Sequence, residues 1–195
     1  NGNLNIVLEG ENTVNAVDVG IYVYGTLAIS GSGSLTVNGI NIENGDIIIS
    51  SGTITTSKAY EGITADNVTI SGGTVTATGE VVGITAYEDV TINGGEVTAT
   101  GEMVGITAYE DVTINGGEVT ATGDKVGIEA YNNKVIISGG TVTATGSDAG
   151  ITAYKNVTIN GGEVTATGDT MGIKSDNKVT ISGGTVTATG GTMGI

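Results

Sequence analysis

The pair Gly-Ile recurs at Gly20, Gly39, Gly62, Gly83, Gly105, Gly127, Gly150, Gly172 and Gly194, with spacings of 19, 23, 21, 22, 22, 23, 22 and 22 residues. A period of that length, held along most of a chain, means a solenoid whose repeats bury their apolar faces only against their neighbours. Within one period, Gly83 to Val104, three short runs alternate apolar and polar residues: Gly83 to Tyr87, Val90 to Ile92 and Glu96 to Thr100. Alternation with period two is the pattern of a strand, so each coil carries three. It points Ile84, Ala86, Val90, Ile92, Val97 and Ala99 inward and Thr85, Thr91, Glu96, Thr98 and Thr100 outward, and later coils keep the split. Asn93-Gly94-Gly95 and its Ser-Gly-Gly variants supply residues that tolerate positive φ at the bends.

The expected fold is therefore all-β, a single-stranded parallel β-helix with three short strands per coil of about 22 residues, right-handed by the crossover rule. One domain covers 1–195, with irregular coils in 1–61 and regular repeats in 62–195. The sequence opens without Met and stops at Gly194-Ile195, where another coil begins, so a piece of a longer chain is expected. Its open carboxy-terminal edge could stack end to end on another copy.

Composition narrows the function. There are 35 Gly and no Pro, Cys, His, Trp or Phe, and all six basic residues are lysines: Lys58, Lys125, Lys134, Lys155, Lys174 and Lys178. A net charge of −15 disfavours nucleic acid, whose backbone is held by cationic contacts. No apolar run is long enough for a membrane span, and without Cys no disulfide forms.

Three outward ladders could carry function. Thr76/Thr78, Thr98/Thr100, Thr120/Thr122, Thr143/Thr145, Thr165/Thr167 and Thr187/Thr189 are uniform over six coils, whereas the adjoining column varies as Thr74, Glu96, Glu118, Thr141, Glu163 and Thr185. Thr suits an exposed strand on structural grounds alone. The array also resembles the Thr-x-Thr faces of ice-binding β-solenoids, which implies a surface that orders water. A second ladder, Tyr87, Tyr109, Tyr131 and Tyr154, ends each GITAY-type strand, with Asp66 and Asp176 at the equivalent places in flanking coils. All four rings are expected to stack, either covering a corner or offering sugar rings an aromatic surface with a phenol tip.

The third ladder is acidic. Glu80, Glu102, Asp124 and Asp169 share one corner, and Glu88/Asp89 with Glu110/Asp111 another. Stacked carboxylates repel unless solvated, protonated or bridged, and Ca²⁺ is the natural bridge. A solvated acidic face is the plainer reading, no EF-hand loop is present, and no cofactor is required. Because the acids form repeated columns, with no His or Arg beside them, an enzyme is not expected; Lys155 and Lys174 have no neighbour that singles them out.

The segments NVTISGGTVTATG (67–79), DVTINGGEVTATG (89–101) and NLNIVLEGENTV (3–14) resemble the β-helical carbohydrate-binding domains of surface proteins from anaerobic Firmicutes. The resemblance implies a pectate-lyase-like parallel β-helix without catalysis, an extracellular or cell-surface location, and binding of plant polysaccharide, with calcium in some members. The leading expectation is an adhesin-like solenoid whose partner is a polysaccharide or cell-wall glycan. An ice-binding protein and a structural stalk are the alternatives.

Overall fold

The computed structural model describes residues 2–195, and in them 24 strands and no helix. Every strand pairs in parallel with its counterpart one coil on, as in Val90–Ile92 against Val112–Ile114 and Glu96–Gly101 against Glu118–Gly123. The expected parallel β-helix is thus the fold. Counted from the Val90–Ile92 position, the first strands of the coils form a nine-stranded sheet, the Glu96–Gly101 type being second and the Val104–Ala108 type third. The second and third strands share a 15-stranded sheet, because Thr53–Ala65 and Thr74–Ala86 run unbroken through the corner that separates the two strands in later coils. Three separate short strands per coil hold elsewhere, in Leu27–Gly31, Ser34–Val37 and Ile40–Glu43 before these two coils and again from Val90 onward.

Aliphatic columns fill the interior. Ile49, Ile70, Ile92, Ile114, Ile137 and Ile159 stack in register, each fully buried. Such a side chain contributes about 1.5–3 kcal/mol by leaving water. The interior also narrows along the axis, since Val37, Thr56 and Ala77 occupy successive places in one column. Thr56 is completely buried there, and its hydroxyl accepts from the Thr78 N–H at 3.0 Å while facing the Thr78 carbonyl at 3.3 Å. The transition from large to small core residues so leaves no buried side-chain nitrogen or oxygen unpaired among the described residues.

Two kinds of glycine shape the coil. The second Gly of each Asn-Gly-Gly corner takes positive φ, +88° at Gly95 and +89° at Gly117. The Gly of the Gly-Ile pair answers a different need: a Cβ on Gly105 would stand 2.6 Å from the Thr122 nitrogen and 2.8 Å from the Gly127 carbonyl oxygen. Second and third strands here approach backbone to backbone, which only Gly permits. The coil is a wedge that closes at this corner and opens toward the first sheet.

Candidate functional site

The outward face of the third strands forms a trough along the axis. Its floor is one column, Thr64, Thr85, Thr107, Glu129, Thr152 and Lys174, paired in register. Alternation placed Thr85 on the solvent side, yet Thr64 and Thr85 are only 2% and 3% exposed. Glu61 spans both, accepting from the Thr64 hydroxyl at 2.7 Å and from the Thr85 hydroxyl at 2.9 Å. The amino-terminal end of the trough is thereby covered, and the floor becomes accessible from Thr107 onward until Lys174 is exposed.

In the open part lie two hollows of about 420 and 360 Å³ that share Glu129, Thr152 and Lys174. Tyr131, Tyr154 and Asp176 border the first, and Asp148, Thr170 and Met171 the second. Partial burial raises the Glu129 carboxyl above its ordinary value, with the Thr107 hydroxyl and the Lys174 ammonium pulling the other way. The Lys174 ammonium pairs instead with Asp176, at 3.9 Å.

These two residues correct an expectation. The acids are not all members of repeated columns, and Lys174 is singled out by its surroundings: Glu129 and Lys174 are the charged members of a floor that is otherwise Thr from Thr64 to Thr152. The signal was present in the sequence as GITA, GITA, GITA, GIEA, GITA and GIKS. Comparing coils for departures from uniformity, as well as for uniformity, would have found it.

One wall of the trough is the tyrosine ladder. Tyr87 and Tyr109 have ring centroids 5.9 Å apart with planes at 46°, and Tyr109 and Tyr131 are 5.6 Å apart at 45°. The expected stack of four is a stack of three, because Tyr154 keeps the column while bordering the hollow with Tyr131. Tilted stacking turns ring faces toward each other and leaves edges and phenols to solvent, where each of the four rings stays about half exposed. At the covered end, partial burial raises the Tyr87 phenol, and the carboxylates of Glu61, Asp66 and Glu43 push it the same way.

The Thr-x-Thr columns occupy the second strands, across the wedge corner from the trough. Thr76, Thr98, Thr120, Thr143, Thr165 and Thr187 pair directly, as do Thr78, Thr100, Thr122, Thr145, Thr167 and Thr189. Glu80, Glu102 and Asp124 stand exposed beside them, along a shallow hollow that also contains Thr78 and Thr100.

At the other acidic corner Asp89 and Asp111 have backbone partners. Asp89 accepts from the Asp111 N–H at 2.9 Å, and Asp111 from the Lys134 N–H at 3.3 Å while its second oxygen meets the Lys134 ammonium at 3.4 Å. Glu88 accepts from the Asn67 amide at 2.9 Å, and Glu110 flanks Asp111. Among the described residues, no three Asp, Glu, His or Cys side chains converge as a metal-holding group.

A trough with an aromatic wall and a few polar floor groups is the arrangement that suits sugar rings. A family model described as "Carbohydrate-binding domain-containing protein" matches residues 1–194. The chain belongs to that family. No curated protein and no solved structure matches it.

Proposed function

We propose that the chain is a non-catalytic, adhesin-like carbohydrate-binding solenoid, secreted or held at a cell surface, that takes an extended polysaccharide along the trough beside the tyrosine ladder. One observation carries this: the tyrosine wall and the polar floor run parallel to the axis over consecutive coils. Coils repeat at about the 4.8 Å spacing of paired strands, close to the length a hexose adds to an extended chain, so successive sugars meet successive tyrosines of the wall. Contacts of that kind are weak singly and gain by repetition.

Retention on insoluble cellulose, pectin and chitin tests the reading. Tyr109→Ala with Tyr131→Ala should lower retention about tenfold, the loss expected from two aromatic contacts. A chain that binds none of these polymers and is blank on a glycan array refutes it.

A second reading rests on the direct pairing of the Thr columns over six coils. Such a face would order water on an ice surface. Thr120→Tyr with Thr143→Tyr should then abolish ice shaping, and a parent chain with no thermal hysteresis ends that reading. Silence in both assays leaves a stalk.

A further inference from the structure

The hollow between Tyr131 and Tyr154 differs from the rest of the trough in holding a carboxylate on its floor. Glu129 is half buried and, among the described residues, has no ion-pair partner, since Lys174 is taken by Asp176. A partly desolvated carboxylate without an ion-pair partner favours a proton or a cation beside it. Its surroundings have the same sign, because among the described residues lining the two hollows that share Glu129, Lys174 is the only cation, against Asp148 and Asp176 besides Glu129 itself. An anionic sugar would meet net repulsion there, and a neutral one would leave the carboxylate charge unmatched.

We propose that this hollow is a subsite for a sugar bearing a free amino group, with the ring beside Tyr131 and Tyr154 and its ammonium on the Glu129 carboxylate. The proposal rests on the polysaccharide-binding reading and names its ligand class: a polymer of 2-amino sugars with unacylated amines. Carboxylate and ammonium stabilise each other's charged forms, so the bound amine stays protonated in neutral buffer. Thr152 adds a neighbouring hydroxyl for the sugar's own hydroxyls. Lys174 acts against the ligand and sets how tightly it is held.

Calorimetry with short soluble glucosamine oligomers, their N-acetylated counterparts and galacturonate oligomers decides the matter. The amino oligomer should bind about tenfold more tightly than the acetylated one, the gain expected from one charge-assisted hydrogen bond, and the galacturonate most weakly. Glu129→Gln, nearly the same in shape, should erase the preference for the free amine, while Lys174→Gln should strengthen it. Both variants should keep the strand circular-dichroism spectrum of the parent. Equal or tighter binding of the acetylated oligomer, or a preference that survives Glu129→Gln, overturns this subsite and leaves the wider reading standing. Failure to bind any oligomer or any insoluble polysaccharide removes both.

Discussion

Burial raises the Glu129 carboxyl above its ordinary value of 4.5, so the folded chain holds that proton more tightly than the unfolded chain does. Ionisation of Glu129 therefore works against folding. Below the ordinary value both states are protonated and the residue is neutral toward stability. As pH rises toward and through the folded-state value, stability is lost, and the loss is complete above it. Glu129→Gln has no charge to desolvate, so its melting temperature should exceed that of the parent at neutral pH and converge with it in acid. The comparison is made at each pH between the two proteins, which cancels the titration of the other carboxylates. A variant that melts below the parent at neutral pH would show instead that the ionised carboxylate is stabilised where it stands.

At the scale of the element, the corners carry hydrogen bonds from coil to coil that a strand pattern does not reveal. Asp111 caps the backbone of Lys134, as Asp89 caps that of Asp111. Removing this acceptor with Asp111→Ala should cost about 1–2 kcal/mol in chemical unfolding, whereas Asp111→Asn, which keeps an acceptor oxygen, should recover most of it. Because Asp89 and Asp111 already have partners, this corner needs no cation, and Asp111→Asn should respond to chelator as the parent does. A rise in melting temperature on adding Ca²⁺, lost in Asp111→Asn, would assign the corner to a cation instead. Strands and corners were legible in the sequence because alternation and Gly-Gly pairs are local signals, and Ile84, Val97 and Gly95 sit as they indicated. Alternation reports which side of its own strand a residue takes and is blind to what lies above that side. Hence Thr85 was read as exposed although Glu61, from the preceding coil, closes over it. The tyrosines were legible as a column, but their tilt, and the hollow between Tyr131 and Tyr154, depend on packing between coils.

Over the whole molecule, each coil touches mainly the one before and the one after, so stability should be a chain of nearest-neighbour terms. Ile106 is fully buried between Ile84 and Ile128 in its column, while Ile181 in the last first-sheet strand is 44% exposed. Ile106→Ala should cost about 2–5 kcal/mol, the usual loss for emptying a buried aliphatic site. Its effect should also be localised. In native-state hydrogen exchange the amides of the coils holding Ile84, Ile106 and Ile128 should lose protection most, and those near Leu27 least. Ile181→Ala should leave the central coils unchanged. The open trough spans the coils from Thr107 to Lys174, so Ile106→Ala should weaken glycan retention as well, without touching a trough residue. Protection lost evenly from Leu27 to Ile159 would mean that the solenoid opens as a single cooperative unit, and then a defect in any coil should disturb the trough equally.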